Sequence, residues 1–303
     1  MEIIKVVDGE MQYNNVNFLN YINKYLQFID VSKETEKTYF RALKQFYNYI
    51  NDKGIDKPTR EDIITYKEEL KANNKPNTIN LYLVALKNFY RWLEYENIMK
   101  DITKNIKLLK VGSEHLREAF TIEEINKILS CCKDKRERLI ISLSVSCGIR
   151  INEMINIRLE DFKVKNGKKV LYLLGKDRDY KEDFVIIPEN IYNLIIEYIR
   201  EYKIKDYLFV STSNNNKNGK ITTKTIRKIS NNIFEKANLK DDMHNFHSLR
   251  HSFATISIQN GSEIREVSQA LRHKNIATSM IYLHDLEKTE NKCSNNVANL
   301  INF

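Results

Sequence analysis

The chain has 303 residues, long enough for two domains of ordinary size, each with a core of its own. Its formal net charge of +9 and pI near 9.1 favour a polyanionic partner, nucleic acid or an anionic membrane, although a Lys-, Ile- and Asn-rich composition raises basicity by itself. No apolar run reaches the length of a membrane-spanning helix and no secretory h-region opens the chain, so neither a helical span nor a secretory signal is expected.

Residues 1 to about 12 carry no periodicity and read as a loose leader. Phe18, Ile22, Tyr25, Leu26 and Ile29 then recur at helical spacing and predict a first amphipathic helix. Ser32 starts a second, with Tyr39, Leu43, Phe46, Tyr47 and Ile50 on its stripe and Gly54 past its end. Thr59 and Asp62 form a capping-box pattern before a short third helix through Leu70. Pro76-Asn77-Thr78 opens a fourth, with Ile79, Leu83, Leu86, Tyr90 and Leu93 facing inward. Four helices over residues 13–108 make a small bundle with basic outer faces, which suits either a DNA clamp or a helical domain with solvated lysines. From about Lys104 to Arg117 the apolar pattern fades, and this stretch reads as a linker to a second domain, residues 114–303.

In the second domain Thr121 and Glu124 form another capping box, and Leu139 to Val145 is an apolar helical segment ended by Gly148. Arg150 therefore emerges at a turn between two helices. The cysteines Cys131, Cys132, Cys147 and Cys293 fit neither zinc-site nor disulfide spacing, so Cys147 reads as a core thiol and the protein as reducing and cytoplasmic. Val170 to Leu174 and Phe184 to Ile187 predict a β-hairpin across the polar run Gly175 to Asp183. A helix over Ile191 to Tyr202, the apolar Tyr207 to Val210 and an Asn-rich loop through Gly219 follow. The next helix, Thr223 to Ala237, carries Lys224, Arg227 and Lys228 near its start, an edge suited to phosphates. Gly261 ends the helix that begins near His247, and Ser262 opens another. The fold class is thus mainly α with a small β-hairpin: a helical bundle, then a mixed α/β domain.

The run His247-Ser248-Leu249-Arg250-His251-Ser252-Phe253-Ala254-Thr255 organises the second domain. His247 and Arg250, three apart, share a helix face, while Leu249, Phe253 and Ile256 anchor the other. A guanidinium fork beside an imidazole suits a phosphate. Downstream, Leu271-Arg272-His273-Lys274-Asn275 adds a histidine, with Tyr282 nine positions after it, and upstream Cys147-Gly148-Ile149-Arg150-Ile151-Asn152-Glu153 adds an arginine. Taken singly, a His-x-x-Arg is an ordinary helix-surface pair, and one tyrosine among seventeen is ordinary packing.

Taken in order, Arg, His-x-x-Arg, His and Tyr resemble the tyrosine recombinase (phage integrase) family. "HSLRHSFAT" is similar to that family's second arginine box, "LRHKNIATSMIYLH" to its His-to-Tyr box and "CGIRINEM" to its first arginine box. The first hundred residues resemble its DNA-clamping domain, so the resemblance covers essentially the whole chain.

The resemblance implies a site-specific DNA recombinase that cuts and rejoins strands through a 3′-phosphotyrosine. Arg150 and Arg250 would clamp the non-bridging oxygens, Tyr282 would attack, His247 would take its proton, and His273 would donate to the phosphate. Lys176, in the Gly175-Lys176 pair, would protonate the leaving 5′ hydroxyl, with Lys181 as a rival. Glu153 would brace the site, or form a simple helix-surface ion pair. Neither cofactor nor metal is expected: there is no Walker A run and no carboxylate cluster of the two-metal kind. Two departures stand out. Arg272 occupies a position where many relatives have Gly, as a phosphate contact or a solvent-pointing side chain, and Cys147 replaces a commoner Thr. The partners implied are double-stranded DNA and a homo-tetramer on two DNA sites. The apolar tail Val297 to Ile301 would dock on a neighbour or on its own domain, and DNA-bending or excisionase proteins are conceivable accessories. The task would be integration, excision or resolution, as on a mobile element. Two other readings are a DNA-binding accessory protein with a vestigial pocket and a type IB topoisomerase-like enzyme.

Overall fold

The computed structural model describes residues 6–7, 10–11, 15–111, 118–175, 180–212, 219–273, 275–280 and 282. The chain divides into two compact units, residues 1–114 and 115–303.

In the first unit α1 (Asn15–Phe28), α2 (Lys33–Asp52), α3 (Arg60–Lys71) and α4 (Pro76–Tyr95) form a bundle. The helices begin where local chemistry satisfies their free N–H groups. Ser32 caps α2, Thr59 and Asp62 close a capping box on α3, and Pro76 takes the first position of α4. Their apolar stripes meet in one core that includes Phe18, Ile22, Leu43, Phe46, Leu83 and Phe89. Rings pack edge to face there, Phe18 on Phe89 at 5.3 Å and Phe46 on Tyr66 at 5.1 Å.

Two features of this unit differ from the sequence expectation. Val6–Val7 (β1) and Glu10–Met11 (β2) pair antiparallel where a loose leader was expected. The start of the expected linker is also fastened to the bundle. Ile106 is buried, Lys87 Nζ donates to its carbonyl at 2.8 Å, and the Asn80 amide pairs with both backbone groups of Leu109, at 2.7 and 2.9 Å. Polar side chains of α4 hold a backbone that has no apolar stripe of its own. The rest of the expected linker, 112–117, lies outside the described residues.

The second unit is built around α6 (Lys135–Cys147), against which α5 (Ile122–Ser130), α8 (Glu189–Tyr202), α9 (Thr223–Lys236) and α10 (Phe246–Gln259) pack. Leu139 to Ser144 are buried without interruption, as befits a helix with neighbours all round. α7 (Ile151–Met154) and α11 (Ile264–Ala270) are short. Glu263 caps α11, one residue later than the expected start at Ser262.

The expected hairpin is present as β4 (Lys168–Leu173) and β5 (Asp183–Ile186), but a further strand, β3 (Phe162–Lys165), completes an antiparallel sheet in the order β3-β4-β5. Val164 of β3 is 73% exposed, so apolar alternation gave no signal. The legible mark was Asn166-Gly167, whose φ angles of 49° and 74° are those of a two-residue hairpin turn. Among the described residues no helix is long and apolar enough to cross a membrane.

Candidate active site

Gly148 closes α6 in the left-handed region, at φ 58°. A Cβ there would lie 2.8 Å from Leu271 Cδ2 and 3.1 Å from Phe253 Cδ1, so the position needs glycine for conformation and for space. Two residues on, Arg150 caps α7. Its backbone N–H donates to Glu153 Oε2 and its Nη1 to Oε1, both at 2.8 Å. Glu153 is 3% exposed, whereas the Arg150 side chain keeps 32% of its surface open. The turn thus holds a cation firmly and still presents it, as the sequence predicted.

Arg250 of α10 is 1% exposed, with Nη1 donating to the Gly148 carbonyl and Nη2 to that of Leu271. His247, in the first turn of α10, is exposed, whereas Arg250 is sealed. Leu249, Phe253 and Ile256 pack inward as expected.

Arg272 has neither of its two expected places. Its side chain is 4% exposed, and Nη2 donates to Glu153 Oε2 at 2.6 Å and to the Gly148 carbonyl at 3.1 Å, while Nη1 donates to the Ala270 carbonyl at 2.7 Å. Its φ of 54° accounts for glycine as the easier occupant of this position. Two guanidiniums therefore share one carboxylate, and a third, that of Arg250, shares the Gly148 carbonyl with Arg272.

That charge balance sets the titration of the site. Burial, then Arg150 and Arg272, lower Arg250 to about 9, so it stays charged at neutral pH. Burial pushes Glu153 up, but Arg272 and Arg150 outweigh it and the carboxyl ends below its ordinary value. His273 is lowered to about 4 by burial first and then by Arg250, Arg150, Arg272 and His251, which leaves it neutral at pH 7. Its Nδ1 is 2.7 Å from Ser279 Oγ. In the tautomer where the Ser279 hydroxyl donates to Nδ1, the ring proton sits on Nε2, a donor for an anion.

Tyr282 is 7% exposed and packs with Ala254, Val267 and Leu271. Burial raises its pKa, while Arg250 and Arg150 act the other way. The ring that meets it is that of His251, 5.4 Å away between centroids, and His251 in turn lies 4.7 Å from His247. Sequence reasoning gave no role to His251 or Ser279. His251 follows His247 at the i+4 spacing that shares a helix face, so the signal was there.

Lys176 lies outside the described residues, as do Cys293 and the tail Val297 to Ile301. Lys181 lies just before β5, and its side chain is tied down. Its Nζ pairs with Asp161, whose side chain is 6% exposed, and donates to the Asn156 carbonyl at 2.9 Å. Cys147 is buried and its thiol is pushed up to about 12, in keeping with a core position.

The phage integrase family profile matches residues 118–289, and the profile of the phage integrase N-terminal SAM-like domain matches residues 18–100. The tyrosine recombinase XerA of Pyrococcus furiosus is 31% identical over 262 residues, 85% of this chain and 86% of its own length. The tyrosine recombinase XerC of Staphylococcus haemolyticus is 31% identical over 286 residues, 90% of this chain and 93% of its own. Among solved structures, the XerH site-specific recombinase bound to a palindromic difH substrate, after cleavage, matches with a TM-score of 0.75 at 21% identity, covering 92% of this chain and 97% of that one. A lambda integrase tetramer bound to a Holliday junction matches with a TM-score of 0.69 at 16% identity, covering 87% and 76%. At these identities the structural likenesses speak for the fold.

Proposed function

The chain belongs to the phage integrase family, and from that premise we propose that Tyr282 is its nucleophile, with Arg150, Arg250, His247, His273 and Lys176 as catalytic partners. It is a tyrosine-type site-specific DNA recombinase, an enzyme that cleaves and rejoins DNA strands. The observation that carries the assignment of residues is the placement of Tyr282 in the field of Arg150 and Arg250, beside a paired histidine ring.

A phosphodiester is already an anion, and attack builds further charge on its non-bridging oxygens. Arg150 and Arg250 supply positive charge for those oxygens, and Nε2 of neutral His273 adds a hydrogen bond. The Tyr282 oxygen attacks phosphorus as its proton passes to His247, and the bond to the 5′ oxygen breaks. Lys176 protonates that leaving oxygen. The 3′-phosphotyrosine retains the bond energy, and attack by the 5′ hydroxyl of another strand reverses the step and frees the tyrosine.

Double-stranded DNA is the partner. Lys37, Arg41 and Lys44 are exposed along one face of α2, lining a groove with Phe40, and Lys224, Arg227 and Lys228 are exposed at the start of α9. Both groups suit backbone phosphates. The active assembly in this reading is a homo-tetramer on two DNA sites in the cytoplasm, serving integration, excision or resolution, as on a mobile element, with or without accessory DNA-bending or excisionase proteins. The lambda integrase tetramer on a Holliday junction, similar in fold, supports that assembly.

The test is a nicked suicide substrate built on inverted repeats found beside the coding region. The parent chain should give a covalent protein–DNA band on a denaturing gel, and Tyr282→Phe should bind the same DNA and give none. An adduct from the Phe variant would remove Tyr282 from the mechanism. A parent that binds and never cleaves would favour the vestigial-pocket reading.

A further inference from the structure

We propose that Arg272 is a positioning residue for DNA cleavage, one that fixes the Glu153 carboxylate and through it the guanidinium of Arg150. The inference rests on the reading of Arg150 as the phosphate clamp.

The Arg150 side chain is held through one carboxylate. The residue stands at the head of α7, a helix of only four residues, and its bonds run to Glu153 within the same turn. Met154 anchors the turn in the core, but among the described residues the hydrogen bond that reaches the Glu153 carboxylate from outside its own turn is that of Arg272. Arg272 ties that turn to the chain 119 positions later. Its Nη2 reaches Glu153 Oε2 at 2.6 Å, the same oxygen that accepts the Arg150 N–H, so Oε1 is left to the Arg150 guanidinium. A second bond at 3.1 Å runs to the Gly148 carbonyl, which also accepts from Arg250. One side chain thus connects the α6–α7 turn, the brace and the acceptor shared with the other arginine.

The placement works against backbone preference. Arg272 sits at φ 54°, where glycine is at ease and other residues rarely go. Its Nε is buried with no hydrogen-bond partner among the described atoms. A side chain serving only solubility would not be held there. With 4% of its surface exposed, Arg272 is enclosed and acts on substrate through Glu153 and Arg150.

The test uses the full chain with Arg272→Gly, which suits the left-handed backbone, and Arg272→Lys, which keeps a cation near Glu153 but loses the fork. Each is made alone and with Arg150→Ala. DNA affinity and the single-turnover rate of adduct formation at saturating DNA are measured separately. We expect Arg272→Gly to bind like the parent and cleave slower by on the order of 100-fold, the scale of a misplaced catalytic group. Arg272→Lys should recover part of that loss. In the Arg150→Ala background neither change should slow cleavage further, because the group being positioned is gone. Cleavage at the parent rate by Arg272→Gly, or losses that multiply in the double variants, would overturn the proposal. If Arg272→Gly melts below the assay temperature, the Arg272→Lys pair decides by the same comparison. A parent chain without adduct overturns the recombinase reading and this inference together; an active parent beside an unimpaired Gly variant overturns this inference alone.

Discussion

Arg250 donates from Nη1 to the carbonyl of Gly148, 102 positions earlier, and that bond keys α10 to the turn that presents Arg150. The same guanidinium serves the Leu271 carbonyl, so an assigned clamp on the phosphate is also a buried structural donor.

The two arginines should therefore fail differently. Arg250→Ala leaves the Leu271 carbonyl without this donor and the Gly148 carbonyl with Arg272 alone, and should cost about 1–3 kcal/mol of stability. Arg150→Ala, at a side chain that is 32% exposed, should leave the melting temperature nearly unchanged. Both should slow adduct formation by roughly 100-fold or more, the scale of losing one charge-stabilising donor. Thermal melts beside the cleavage assay separate the two effects, and equal melting temperatures would show that Arg250 is not the buried support described.

The acid limb of stability should depend on His273. Its ordinary value is 6.5 and burial beside three arginines lowers it to about 4, so the unfolded chain takes up the proton first as pH falls. Stability from this site is full above about pH 6.5, falls between 6.5 and 4, and is gone below. Allowing for solvent screening of a half-exposed ring, His273→Gln should flatten this limb by about 1 kcal/mol. Urea titrations at pH 7 and pH 4.5 measure it. The same acid loss in parent and variant would assign the limb to other groups.

Lys176 and Lys181 should differ in kind. Lys176→Ala should lose cleavage of ordinary DNA and regain it on a substrate with sulfur at the bridging 5′ position, since a thiolate leaves without a proton. Lys181→Ala leaves the buried Asp161 carboxylate without its cation and should cost on the order of 2–3 kcal/mol of stability. Sulfur rescue of Lys181→Ala, with Lys176→Ala cleaving normally, would reverse the assignment.

Residues 113–303 alone should bind DNA more weakly and with a shallower salt dependence than the whole chain. Phosphate contacts from the first unit, such as those offered by Lys37, Arg41 and Lys44, each add to counterion release. Filter binding across a salt series checks this, and equal slopes would give the bundle another task.

What the sequence determined by itself was whatever depends on near neighbours. Ser32, the Thr59–Asp62 box and Pro76 start helices through bonds spanning three or four residues, and the stripes from Phe18 to Leu93 follow the helical period. Gly148 marked the turn that presents Arg150 in the same local way, whereas Arg150, His247, Arg250, His273 and Tyr282 stood out as a set only through their resemblance to the family's boxes. Tertiary structure alone decided the partners. Nothing near Arg272 in the chain names Glu153, nothing near Lys181 names Asp161, and nothing near Arg250 names Gly148. A polar side chain on a helix has the same local pattern whether it meets water or a buried carbonyl. Only the approach of a distant segment removes the water, and the hydrogen bond it then requires fixes where the side chain goes.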